Sequence, residues 1–312
     1  MPRRAPLCRF GPHGPIPAPL SPRLTVGRSH ALGGALGRVF VEERLATGAA
    51  GPIFGIRGPQ GFGPLALKVF DLRHTPRRAI SLAFALQRRC SGPLVIAAQM
   101  LHMDRDRAYW AMERALGPSL EAYLCAQAAA QRQVPLPKLL QAFVAMAQAV
   151  AHCHSRRVVH RDIKPDNFLL TASDLSGLKL ADFGLAIDLP KAQSVGTTLY
   201  MAPEALRGAP AHGAVDVYAL GICLYRMVVG LEPHYDDDEA LCAAQILAQQ
   251  PSYTVGDLRL ALRARRAPQA AIEAVVALYQ AATHLDARRR PAAAQMARAA
   301  QRLLDGLPGR LS

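Results

Sequence analysis

Asp162, Lys164 and Asn167 fall within one short stretch, Val158 to Leu170, which reads V-V-H-R-D-I-K-P-D-N-F-L-L. A carboxylate placed there can take a proton, an ammonium can neutralise negative charge, and an amide oxygen can ligate a hard cation. Phosphoryl transfer needs those parts, because its catalysis is mostly positioning and charge neutralisation. A second carboxylate, Asp182, follows Asn167 by fifteen residues in D-F-G, and Thr197 stands in G-T-T-L-Y-M-A-P-E. Lys68 lies in the run Ala66-Leu67-Lys68-Val69. A lysine among apolar neighbours is costly to bury without a partner.

These groups need elements to hold them. Arg38 to Val41 is strand-like, and the stretch after it carries Gly48 and Gly51. Glycines let a backbone approach phosphate closely and leave its N–H groups free to donate. A helix is expected from about Pro76, a residue suited to a helix start, to about Arg89. Tyr109 to Ala115 reads as a strand running into a linker, and Ser119 is an N-cap type. Apolar residues recur at three- and four-residue spacing from about Pro137 to Arg156, a buried helix leading into the Val158 stretch. After Leu170 come a turn, a strand at Leu178–Ala181 and, from Asp216 to about Val229, an apolar helix. The acidic run Asp236–Glu239 suits the start of the next helix, and Ala-rich helices fill residues 268–306.

Taken in order, these stretches resemble a eukaryotic-type serine/threonine protein kinase domain. His160-Arg161-Asp162 with Asn167 matches H-R-D-x-x-x-x-N, Asp182-Phe183-Gly184 matches D-F-G, and Ala202-Pro203-Glu204 matches A-P-E. The resemblance covers residues 37–305 and implies a bilobal α+β fold with ATP between the lobes. The β-rich N-lobe would run from about 37 to 112 and the helical C-lobe from about 116 to 305. It implies Asp162 as base, Lys164 at the γ-phosphate, Thr197 contacting both, and Asn167 with Asp182 holding Mg²⁺. Leu45, Gly48, Gly51, Ile53, Ala66, Met112 and Leu169 would surround the nucleotide, with Met112 as gatekeeper. Lys68 would hold its α- and β-phosphates, and the backbone of Glu113 and Ala115 its adenine. Lys164 and Thr197 are of the serine/threonine type, which implies protein Ser/Thr hydroxyls as substrate. Asp216 would brace the H-R-D backbone, and Arg290 would pair with Glu204. His154 matches a packing histidine, so His152-Cys153-His154 is read as structural. Ser194, the only hydroxyl residue between Asp182 and Gly196, is the candidate phosphosite, with Arg161 to receive it.

Two departures stand out. Ala46 replaces the first glycine of the family's loop, and no Asp or Glu occurs from Leu72 to Met103, where the lysine's glutamate partner should fall. Ser81, Ala83 and Gln87 occupy the possible positions; Gln87 could accept a hydrogen bond from Lys68, and Asp182 would become the main anionic neighbour of Lys68. An active kinase and a nucleotide-binding pseudokinase scaffold both remain open. Arg226 stands where kinases that prefer basic substrates often carry an acid, which disfavours that preference.

The 312 residues fit one large domain, or two lobes with a short extension. Net charge is +14, yet no basic run is interleaved with aromatics, so no specific nucleic-acid partner is expected. No apolar run is long enough to span a bilayer. The six cysteines are scattered without a C-x-x-C pair, which suits a reducing, cytoplasmic compartment. Residues 1–36 are proline-rich and acid-free. They are expected to form a disordered tail, with an organellar transit peptide as the alternative reading. Residues 306–312 form a short C-terminal tail.

Overall fold

A computed structural model describes residues 24–48, 51–58, 63–188 and 197–307. The chain divides between Ala115 and Leu116 into two compact units. No helix among the described residues is long and apolar enough to cross a membrane.

The first unit is a six-stranded antiparallel sheet with one helix. Its strands are β1 (Ser29–Gly33), β2 (Gly37–Gly48), β3 (Gly51–Arg57), β4 (Leu65–Asp71), β5 (Ala98–Met103) and β6 (Arg107–Glu113), in spatial order β1-β2-β3-β4-β6-β5. Helix α1 (Arg77–Arg89) joins β4 to β5. The period of two along a strand assigns the faces. Leu65, Leu67 and Val69 of β4 enter a core with Val39, Val41, Phe54, Ile56, Tyr109 and Ala111. Phe70 joins the opposite cluster, with Trp110 of β6 and Ile80 and Ala83 of α1.

The expected start of the folded region at residue 37 needs correction. Leu24 and Leu36 are core residues of the sheet, and β1 pairs with β2 from Ser29. The last proline of the N-terminal stretch is Pro22, so a composition averaged over residues 1–36 hid a strand at its end. The β1–β2 turn, Gly34–Leu36, packs against β5 at the far edge and so curls the sheet. Gly34 has φ 54°, and a Cβ there would lie 2.8 Å from the His102 ring. Of the tail expected over residues 1–36, residues 1–23 lie outside the described residues.

The second unit is mostly helical: α2 (Leu120–Ala129), α3 (Leu136–Ser155), α4 (Pro203–Leu206), α5 (Gly213–Val229), α6 (Glu239–Ala248), α7 (Val255–Ala264), α8 (Gln269–Ala282) and α9 (Ala293–Asp305). Four short strands, β7 (Val158–Val159), β8 (Phe168–Leu170), β9 (Leu178–Leu180) and β10 (Ile187–Asp188), pair as β7–β10 and β8–β9. Helix α5 is buried from Val215 to Val228, as expected for a helix apolar on every side. It packs against α3, α7 and α8, and α3 packs against α9. The caps follow the sequence reading. Ser119 Oγ accepts from the Ala122 amide at 3.1 Å, and Asp238 Oδ1 from Ala240 at 2.8 Å. Cys90, Cys153, Cys223 and Cys242 are buried.

Candidate active site

Strand β7 ends at Val159, and the chain then turns sharply. Arg161 adopts φ 67°, a conformation that non-glycine residues hold only when their surroundings fix it. The fixing group is Asp216 of α5, 1% exposed. Its Oδ2 accepts from the His160 amide at 2.9 Å and its Oδ1 from the Arg161 amide at 2.8 Å. The His154 ring adds a 2.8 Å contact to Oδ2. Burial pushes the Asp216 pKa up, but the His154 hydrogen bond and charge, with His160, outweigh it and hold the carboxyl below its usual value. His154 therefore has a partner in the site's own scaffold, which its packing role did not foretell. His160 is fully buried, contacts the Ala181 carbonyl at 3.0 Å and meets the Phe183 ring edge-on at 4.8 Å.

Beyond that brace the four candidate catalytic residues form one connected set. Lys164 Nζ donates to Thr197 Oγ1 at 2.6 Å, and the Thr197 hydroxyl donates to Asp162 Oδ1 at 3.1 Å. Lys164 also reaches Asp162 Oδ2 at 3.1 Å. Asn167 Nδ2 donates to the Asp162 carbonyl at 2.7 Å and to its Oδ2 at 2.9 Å. A lysine has only donors, so the direction of each bond is fixed: Lys164 to Thr197, then Thr197 to Asp162. The β8–β9 hairpin brings the second carboxylate alongside, because the Ala181 amide donates to the Asn167 carbonyl at 2.8 Å. Asp182 follows in the left-handed region, φ 56° and ψ 76°, with its side chain exposed. Leu169 is half-buried on β8. Ser194 lies outside the described residues; Arg161 Nε donates to the Leu185 carbonyl at 2.6 Å.

Two ion-pair groups support this unit. Arg290 joins Glu204 through contacts of 2.6 and 2.9 Å, as the sequence suggested. The other group centres on Arg226, which stands where kinases that prefer basic substrates often carry an acid. It is 8% exposed and contacts Glu121 at 2.5 Å and Glu232 at 3.4 Å. The Tyr200 hydroxyl donates to the same Glu232 at 2.6 Å. Two buried carboxylates thus neutralise the charge that Arg226 carries. The pairing with Glu121 was not legible locally, since Glu121 precedes Arg226 by 105 residues.

In the first unit, β3–β4–β6 register sets Ile53 opposite Lys68, Ala66 opposite Met112, and Lys68 opposite Trp110. Lys68 is 8% exposed, with Nζ 5.4 Å from the Phe70 ring centroid. Gly48 and Gly51 pair at the β2–β3 end, while Leu45 is exposed on β2. Gly51 has φ 133°, and a Cβ there would fall 2.0 Å from the Val69 carbonyl oxygen, so only glycine fits. The Glu113 amide donates to the Ala97 carbonyl at 2.9 Å, and its carboxylate accepts from the Ala97 amide at 3.2 Å. Ala115 is half-buried. Arg114 between them contacts Glu43 at 2.7 Å and Glu42 at 3.4 Å, a tie from the linker to β2 that the sequence reading missed. Gln87 of α1 is buried and donates its amide to the Ile96 carbonyl at 2.8 Å, which accounts for its place on the helix.

Comparison with known proteins bears on the whole arrangement. A family model described as a protein kinase domain matches residues 41–300. Aurora/IPL1-related protein kinase 2 of Caenorhabditis elegans is 30% identical over 224 residues, 68% of this chain and 70% of the relative. Calcium/calmodulin-dependent protein kinase type II of Caenorhabditis briggsae is 44% identical over 112 residues, 34% of this chain. The type II alpha chain of Drosophila melanogaster is 42% identical over 113 residues. The match spans 21% of each of these last two proteins. The family match runs from β2 into α9 and includes every residue of the connected set, so the chain belongs to the protein kinase family.

Proposed function

We propose that the chain transfers the γ-phosphate of ATP to serine or threonine hydroxyls of proteins. The observation that carries this reading is the connected set of Asp162, Lys164, Thr197 and Asn167. Bound ATP supplies the phosphoryl group, and Mg²⁺ neutralises its charge. Asn167 donates its amide nitrogen to Asp162, which leaves its amide oxygen to ligate a cation, and Asp182 offers an exposed carboxylate. Both are hard oxygen donors. Among the described residues no three His, Cys, Asp or Glu side chains converge on a metal site. That fits Mg²⁺, which usually takes one or two carboxylates and completes its shell with phosphates and water.

Asp162 orients the substrate hydroxyl and takes its proton as the new O–P bond forms and the β,γ-bridging bond breaks. Lys164 neutralises charge on the transferred group while its bond to Thr197 keeps it beside Asp162. Lys68 holds the nucleotide phosphates. Gly48 and Gly51 lie close to them, and Ile53, Ala66, Met112 and Leu169 line the base, which hydrogen-bonds to the backbone of Glu113 and Ala115.

A second reading, a nucleotide-binding scaffold, is favoured by one observation: α1 carries no acid. A phosphotransfer assay separates the two. With Mg-ATP and a generic Ser/Thr-containing protein, the chain should incorporate phosphate in a Mg²⁺-dependent way. Asp162→Asn should lower the rate at least about a hundredfold, the low end of a base's contribution. Incorporation no greater than that of the variant would leave the scaffold reading.

A further inference from the structure

We propose that the groove between α8 and α9 is a docking site for an acidic amphipathic helix of another protein. The two helices pack together and leave a concavity of about 590 Å³ between them. Leu278 of α8 and Met296 of α9, both buried, line it. Ala274, Ala277 and Ala281 of α8 line it as well, and their spacing of three and four residues puts them on one face. Ala277 is exposed, so this wall opens to solvent. Alanine leaves the concavity unfilled and lets a third helix come close, because the distance between helix axes depends on the side chains at the contact. An apolar groove of this kind suits a helix that lays its apolar stripe into it.

Charge selects the occupant. The charged residues that line the groove are Arg298 and Arg302 of α9, both exposed. They stand four apart on one face of the helix, where like charges repel and destabilise it. Among the described residues neither pairs with an acid, and Glu273, the one acid of α8, is held by Arg259 at 2.6 Å. An arginine stem can wall an apolar groove while its head stays in water at the rim. A helix with apolar side chains against the alanines and carboxylates along the α9 rim would therefore bury apolar area and relieve the repulsion together. The stretches outside the described residues contain no Asp or Glu, so none of them supplies those carboxylates. A single groove is small beside a permanent interface, so the complex should be weak and reversible.

The test uses the whole chain and a labelled peptide of about 18 residues, about five helical turns, with Leu along one face and Glu along its flank. Fluorescence anisotropy gives its Kd at about 0.1 M salt, where charges beyond a Debye length are screened. A peptide with Lys in place of each Glu should bind at least about tenfold more weakly, and so should one with Ser in place of each Leu. Arg298→Glu combined with Arg302→Glu should weaken the acidic peptide at least about tenfold and make the Lys peptide the better ligand. Arg78→Glu combined with Arg88→Glu, at exposed positions of α1, makes the same change in net charge and should leave Kd within about twofold. Ala277→Gln adds bulk without charge and should also weaken binding, which separates docking in the groove from attraction to a chain of net charge +14. Absence of acidic-peptide binding up to about 1 mM would overturn the proposal. So would equal loss from the two arginine pairs, or wild-type affinity in Ala277→Gln. A dimer in sedimentation that Ala277→Gln dissolves would also overturn it, by assigning the groove to a second copy of the chain.

Discussion

Arg290 grips Glu204 with both terminal nitrogens, at 2.6 and 2.9 Å, from a side chain that is wholly buried. Its Nε donates to the His284 carbonyl, a terminal nitrogen to the Ala214 carbonyl, and its plane lies 5.0 Å from the Tyr218 ring centroid. One guanidinium therefore ties α4, α5 and the loop before α9 together. Removing one partner of a buried pair costs about 3–5 kcal/mol. Glu204 is partly exposed, so Arg290→Ala should lower the unfolding free energy by about 3 kcal/mol, the low end of that range. Arg290→Lys should recover less than half, because it lacks the planar fork. Urea denaturation of the three proteins checks both values.

Thr197 links the two charged members of the candidate catalytic set, Lys164 and Asp162, through one hydroxyl. Thr197→Val removes the link at nearly constant volume, and it should lower kcat by about ten- to a hundredfold while KM for ATP stays within about twofold. Thr197→Ser should retain most activity. A Val variant with unchanged kcat would show that Lys164 and Asp162 hold their geometry without the bridge.

His234 is 7% exposed, and its Nδ1 has no hydrogen-bond partner. Burial pulls its pKa from 6.5 down to about 4. Between those values the unfolded chain binds a proton that the folded chain does not, so stability rises with pH across the window and falls as pH drops from 6.5 to 4. The full loss is on the order of 3 kcal/mol. Melting curves from pH 7.5 to 4.5 should show a steeper decline in wild type than in His234→Phe. Parallel curves would refute the assignment.

Gly221 lies where α5 crosses α8. A Cβ there would come within 2.8 Å of Ala282 Cβ and Thr283 Cγ2. Alanine gains helix propensity of about 1 kcal/mol over glycine, but overpacking costs about 1–3 kcal/mol. Gly221→Ala should therefore be neutral to destabilising, by up to about 2 kcal/mol. A stabilised variant would mean that the two helices separate freely.

What the sequence disclosed depended on distance along the chain. Asp162, Lys164 and Asn167 are close neighbours, and the hydrogen bonds among them follow from that closeness. The caps at Ser119 and Asp238 were equally local. Helix α3, read as Pro137 to Arg156, spans Leu136–Ser155, because its apolar spacing directly reports the buried face. Strand β1 escaped because glycines and a proline-rich approach dominate its neighbourhood, while its stability comes from pairing with β2. The ring cluster was hidden for a similar reason: Phe70, Phe84 and Trp110 meet only once β4, α1 and β6 are in place. Arg226 shows the limit for charge. Its sign was visible, but its pairing with Glu121, 105 residues earlier, was not.

The amides of His160 and Arg161 donate to Asp216, near the start of a helix buried along nearly its whole length. Loop amides ordinarily exchange with solvent through small local openings. These two can be freed only if the Asp216 carboxylate withdraws, which requires α5 to leave its neighbours. Their hydrogen-exchange protection should approach that of α5 itself, far above the protection of the surrounding loop. The connected set around Asp162 would then lose its geometry only when the second unit as a whole opens.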